Sequence, residues 1–184
     1  MAQSYSYIRE QCVQGVIRAS MPNPLPLDRI RAIFDASFFS INSTVAEAFA
    51  ADENRRELLR GSDTLTFVSG DATLPTNTLK KFTEDATLSI ANATYSYRRY
   101  PQWLMGSSPQ LGLWTTIGET IKAKSKIPVT AFSGSATFTS IKSPDVPAAE
   151  GDDFDAPDDY ISDFIPAMIQ YILSQSMQEA AATA

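Results

Sequence analysis

Residues 27–49 read LDRIRAIFDASFFSINSTVAEAF, and their apolar positions decide the first half of the fold. Leu27, Ile30, Phe34, Phe38, Ile41, Val45 and Phe49 recur every three or four residues, the spacing that lines one face of an α-helix. Asp28, near the start, suits the positive end of the helix dipole. Just upstream, Pro22, Pro24 and Pro26 remove backbone donors at alternate positions and push the residues before them into extended conformations, so a stiff elbow precedes the helix. Before the elbow, Ile8, Cys12, Val16 and Ala19 fall at helical spacing and predict a first helix over residues 5–19, with Gly15 a mild weakness. Downstream, Glu53 and Glu57 stand one turn apart beside Arg55, Arg56 and Arg60. Residues 50–60 therefore either prolong the long helix or form a short separate one, ended by Gly61.

Beyond Gly61 the pattern changes to runs rich in Thr, Val, Phe and Tyr, punctuated by Gly70-Asp71, Pro75, Pro101, Gly106 and Pro109. Strands are expected near residues 65–68, 78–82, 86–91, 113–117, 120–124 and 136–141. The strongest hairpin signal is Thr116-Ile117-Gly118-Glu119-Thr120, where Gly118 can take a left-handed turn conformation between two alternating runs. Residues 95–104, aromatic and basic, read as strand or loop. Pro144 and Pro147 open an acidic stretch that leads to a last helix striped by Ile165, Met168, Ile169, Ile172, Leu173 and Met177, with Pro166 tolerable in its first turn. The expected fold class is α+β, with N-terminal and C-terminal helices packed as a small bundle and a central antiparallel β region. One domain is expected, with a helical part at 5–60, a β-rich part at 61–142, an acidic linker at 143–163 and a C-terminal helix at 164–180.

Charge is divided unevenly along the chain. Residues 1–142 carry fifteen Lys and Arg against twelve Asp and Glu, whereas residues 143–184 carry no base against nine acids, for a net charge of −6. Such a division points to an end that is kept off something negative or offered to something positive. The single cysteine, Cys12, and the absence of histidine exclude intrachain disulfides, most zinc geometries and histidine-dependent triads. Cys12 lies on an apolar helical face and reads as a small buried hydrophobe. Residues 1–20 hold Arg9, Glu10 and Arg18 in a polar setting, with no apolar run suited to a signal peptide or a membrane span. Synthesis and use in the cytoplasm, or in an assembly built there, is the expectation.

Asp152, Asp153, Asp155, Asp158 and Asp159 are the first candidates for chemistry, because clustered carboxylates can ligate calcium. Their order lacks the alternate ligands, the sixth-position Gly and the twelfth-position Glu of a calcium loop, so a solvated acidic segment near the start of the last helix is the preferred reading. No Gly-rich phosphate cradle is present, nor any pair of carboxylates placed for acid–base work, and no cofactor is expected. Arg98 and Arg99, flanked by Tyr95, Tyr97, Tyr100 and Trp103, have the composition of a protein interface core or of a single-strand stacking surface. The acidic balance of the chain favours the interface. Lys122, Lys124 and Lys126 alternate along an expected strand and share one face, either solvated or open to a neighbour's acidic tail.

The order of these parts resembles the head-to-tail adaptor proteins of tailed bacteriophages. The likeness runs over residues 27–178: a helical pair, a hydroxyl-rich β middle, a basic aromatic segment, a hairpin, a strand entering Pro144-Asp145-Val146-Pro147, and Phe164-Ile165-Pro166 opening the last helix. Two departures are a heavier acidic linker and fewer distinct early helices. The resemblance implies a helical bundle with an inserted β region and a structural, non-enzymatic virion protein. It further implies a homo-oligomeric, dodecameric ring between portal protein and tail proteins, with genomic DNA passing through without sequence-specific binding and no membrane involved. On that reading the working surfaces are subunit interfaces, where the acidic linker of one copy meets Arg55, Arg56, Arg98 or Arg99 of the next, or else the acids line the channel and repel phosphate. A tail tube or tail completion protein of the same virion is an alternative. From other classes, a small metal-dependent enzyme using the acidic loop and a binding module using Trp103 and Trp114 also remain open.

Overall fold

A computed structural model describes residues 3–21, 24–91, 93–105, 112–124 and 132–182. The turn marks Gly106 and Pro109 and the third lysine of the series, Lys126, lie outside the described residues. The chain divides into two compact units, one made of residues 1–58 and 143–184 and the other of residues 59–142. The β-rich part has its own core, and the helical part is assembled from residues 1–58 and 143–184.

The helical unit holds α1 (Tyr5–Ala19), α2 (Leu27–Phe49), a short α3 (Glu53–Arg56) and a last helix over Asp158–Ala182. Ser4 caps α1 by accepting a hydrogen bond from the Tyr7 amide, and Ile8, Cys12, Val13 and Val16 are buried on one face. Cys12 is fully buried, and desolvation pushes its thiol pKa up to about 12. Along α2 the buried stripe is Ile30, Phe34, Ser37, Phe38, Asn42, Val45, Ala46 and Phe49, while Leu27 stays exposed. Asp52 caps α3 by accepting from the Asn54 amide, so residues 50–60 break from the long helix instead of prolonging it.

The last helix starts at Asp158, six residues before the expected Phe164. Asp158 and Asp159 occupy its first turn, where the dipole favours carboxylates, and Tyr160 and Ile161 supply buried residues that the expected start left out. The buried stripe is therefore Tyr160, Ile161, Phe164, Met168 and Ile172, with Met177 exposed. Pro166 lies in the helix interior rather than in its first turn. It sits on the exposed face, so the carbonyl it leaves without an N–H partner can be hydrated.

The β unit carries β2 (Arg60–Phe67), β3 (Asp71–Thr73), β4 (Thr87–Ile90), β5 (Ala93–Tyr97), β6 (Leu113–Ile117), β7 (Thr120–Lys124) and β8 (Gly134–Ile141). A two-residue β1 (Gln3–Ser4) and β9 (Asp153–Phe154) belong to the helical unit. The seven strands run in the order β2-β8-β4-β5-β6-β7-β3, and a bridge between Val68 and Asp71 joins the two outer strands, so the sheet is nearly closed. Leu65, Phe67, Leu88, Ile90, Trp114, Ile121, Ala136 and Phe138 fill its interior. The expected antiparallel region is corrected at one pair, since β5 and β6 run parallel, with Ser96 opposite Leu113 and Tyr97 opposite Trp114. Between these two strands the chain holds α4 (Tyr100–Met105).

The hairpin joining β6 and β7 has the expected turn, with Gly118 at φ +59° and Ile117 paired to Thr120. The strand expected at 78–82 is instead a single bridge, Thr78 to Lys142, followed by a 3-10 helix over Lys80–Asp85. Leu79, Phe82 and Thr83 are buried at spacings of three and four, which a turn of helix satisfies and a strand cannot.

Candidate functional site

The acidic segment is built into the helical unit. Its backbone is held by hydrogen bonds from the Tyr5 amide to the Asp152 carbonyl at 2.9 Å and from the Ser6 amide to the Glu150 carbonyl at 3.2 Å. The Asn42 amide group donates to the Pro144 carbonyl at 2.8 Å. Phe154, set among the acids, is fully buried and meets Phe38, Tyr160 and Phe164 at ring-centroid distances of 5.3, 6.2 and 5.7 Å. Phe154 and Ala156 are buried, and Asp153 and Asp155 between and beside them are exposed, the Ala156 amide turning back to the Phe154 carbonyl at 3.0 Å. The expected linker at 143–163 is thus a pinned segment ending at residue 157, because the aromatic anchor and the pairing with β1 order it.

Each acid has a distinct setting. Asp152 accepts from the Ala148 and Ala149 amides at 3.1 and 2.9 Å, closing a turn. Glu150 accepts from Arg9 at 2.5 Å, and that hydrogen bond, with the charge of the guanidinium, holds its carboxyl below the usual carboxylate range. Arg9 also lies 3.7 Å from Asp35, which accepts from the Tyr5 hydroxyl at 2.8 Å. Burial first, and then the Asp35 carboxylate, raise the Tyr5 phenol pKa. Asp158 and Asp159 are exposed in the first turn of the last helix, here α5.

The basic candidates separate. Arg55 donates to Asp163 at 2.6 Å and lies over the Phe49 ring at 4.0 Å, and Arg56 donates to the Ala50 carbonyl at 2.8 Å. Both therefore serve the helical unit itself. Arg98 and Arg99 come together in the β unit, at the step from β5 to α4, in an open groove of about 260 Å³ lined by Glu84, Tyr97, Arg98, Arg99 and Gln102. Arg99 donates to Glu84 through Nε at 2.7 Å, with Nη2 at 2.6 Å from the same oxygen. Arg98 is exposed, and its guanidinium donates to the Tyr97 carbonyl at 3.1 Å. Tyr97 turns its ring toward Trp114, with centroids 4.8 Å apart.

Tyr100 and Trp103 stack on one another at 6.2 Å along α4. Lys124 donates to the Trp103 carbonyl at 2.6 Å and sits 4.6 Å from the ring centroid, while Lys122 bonds both oxygens of its cross-strand partner Asp71 at 2.8 Å. Two of the three alternating lysines thus have partners within the β unit. Glu84 and Gln102 escaped sequence reasoning: Glu84 sits in the 3-10 turn, and no local pattern couples it to Arg99. Among the described residues no three Asp, Glu or Cys side chains converge on a possible metal position. Among them, too, no helix is long and apolar enough to cross a membrane. Comparison with protein-family models and with curated proteins returned no match.

Proposed function

We propose that this chain is a structural connector of the neck of a tailed bacteriophage, a ring-forming adaptor between portal and tail through which DNA passes. The observation that carries the reading is the way the chain is partitioned. A helical unit made from both chain ends is interrupted between Leu58 and Ser143 by a β unit. The Lys142 amide donates to the Leu59 carbonyl at 2.9 Å, so the inserted unit begins and ends at one point. Strand β8 then passes through Pro144-Asp145-Val146-Pro147 into α5, the order that the resemblance to the adaptors implies.

The charge distribution supports the same reading. Acids held outward on an ordered segment repel phosphate and attract guanidinium groups, and both properties suit a subunit that closes a ring around DNA. The test is native mass spectrometry and negative-stain imaging of the protein, concentrated alone and mixed with portal rings of the same virus. Closed rings in either sample support the reading. Monomers in both samples, or a tight stoichiometric calcium or magnesium site by calorimetry, overturn it.

A further inference from the structure

We infer that the groove formed by Tyr97, Arg98, Arg99 and Gln102 docks the Asp153–Asp155 segment of a second copy of this chain. The inference deepens the connector reading and rests on it for the identity of the occupant.

Charge is the first argument. Arg9, Arg31, Arg55, Lys80, Arg99, Lys122 and Lys142 each meet a carboxylate within the chain. Arg98 meets none among the described residues, and it lies in a groove where Glu84 already neutralises Arg99. The groove therefore offers one net positive charge and a planar guanidinium suited to a single carboxylate in bidentate geometry. On the other side, Asp153 and Asp155 are exposed and their carboxylates have no partner among the described residues. No base follows Lys142 to compensate them.

Order is the second argument. Phe154 and the β1 pairing fix the segment before it meets anything, so docking immobilises little new chain. Alternate strand residues stand roughly 7 Å apart, which lets one aspartate enter the groove while the other stays at its rim beside Gln102. A nucleic-acid strand fits less well, because it presents several phosphates to one net charge, and the Tyr97 ring is turned onto Trp114 instead of being free to stack. Groove and acidic segment are different surfaces of one chain, so their contact is heterologous, the kind that closes into rings.

The test uses three full-length variants: Arg98→Asp, the pair Asp153→Lys with Asp155→Lys, and all three changes together. All alter exposed side chains, and circular dichroism checks their folding. Sedimentation velocity at low and high salt then reads self-association. The first two variants should each associate at least about tenfold more weakly than the parent, and the combined charge swap, or an equimolar mixture of the first two, should recover association. If the parent associates and the variants match it at every salt concentration, the groove is not the dock, while the connector reading stands. A parent that stays monomeric across the concentration range overturns the second copy as occupant, and the portal mixture then decides the connector reading separately. Arg98-dependent binding of a single-stranded oligonucleotide without self-association overturns it in favour of nucleic acid.

Discussion

Gly15 on α1 receives the side chain of Ile169 on α5, and a Cβ at position 15 would fall well inside the van der Waals contact distance of Ile169 Cδ1. What reads in the sequence as a weak point of α1 is the place where two helices approach closely. Replacing Gly15 by Ala gains about 1 kcal/mol of helix propensity but crowds a packed contact, at a cost of about 2 kcal/mol. The single variant should therefore be less stable by about 1 kcal/mol. Ile169→Ala removes both the Cδ1 and the Cγ1 that the new methyl would meet, and in that background Gly15→Ala should stabilise by about 1 kcal/mol. Urea denaturation of the four proteins checks this reversal of sign.

Tyr160 is buried with its hydroxyl 2.6 Å from Asn42 Oδ1 and 2.7 Å from the Asn42 carbonyl, and Asn42 in turn holds the Pro144 carbonyl. Burial raises the phenol pKa, so the group remains a neutral donor throughout the ordinary pH range. Tyr160→Phe leaves a buried acceptor unmet and should cost about 2 kcal/mol. Asn42→Ala strands the Pro144 carbonyl, while the Tyr160 hydroxyl keeps the backbone carbonyl of residue 42, and should cost about 2 kcal/mol. The double variant should fall short of the sum, which denaturant midpoints will show.

Glu150 is held by Arg9, and its pKa in the folded chain lies below the ordinary 4.5. A depressed carboxyl pKa contributes stability that is present above the unfolded value and disappears as pH falls through the folded one. Glu150→Gln should therefore be less stable than the parent at pH 7, with the two converging in acid below the depressed value. Melting both proteins across the acid range tests this; a gap that persists unchanged at the acid end refutes it.

Ala91 has φ +47° in the two-residue connection between Ile90 and Ala93, which pair across the β4–β5 hairpin. A left-handed backbone strains an L-residue through its Cβ and leaves achiral glycine unstrained. Ala91→Gly should stabilise the β unit by about 0.5 kcal/mol, whereas β-branched Ala91→Val should destabilise it by about 1 kcal/mol. Opposite shifts of the β unit's thermal transition are the expected readout.

Much of the fold is legible where the deciding interactions are local. The α1 and α2 stripes, the Gly118 hairpin and the burial of Cys12 each follow from periodicity or from one turn residue. Where the reading failed, partners distant in sequence had decided. Residues 78–82 read as a strand, yet Leu79 and Phe82, three residues apart, are both buried where a 3-10 helix begins at Lys80. The candidate site divides in the same way: that Arg98 and Arg99 share a surface is clear from their adjacency, but that Glu84 neutralises one and leaves the other is not.

The sequence by itself determined the helices with a regular apolar period, the hairpin with its glycine, and a charge division that places nine acids and no base after Lys142. Composition and period survive any change in long-range contacts, so these properties need no tertiary information. Only the tertiary structure decided that the chain makes two units, that β5 and β6 run parallel, and that Phe154 turns an acidic stretch into an ordered display of Asp153 and Asp155. Each of these depends on burying apolar surface against residues far along the chain, and the free energy of such burial is set by the partner and not by the neighbouring sequence.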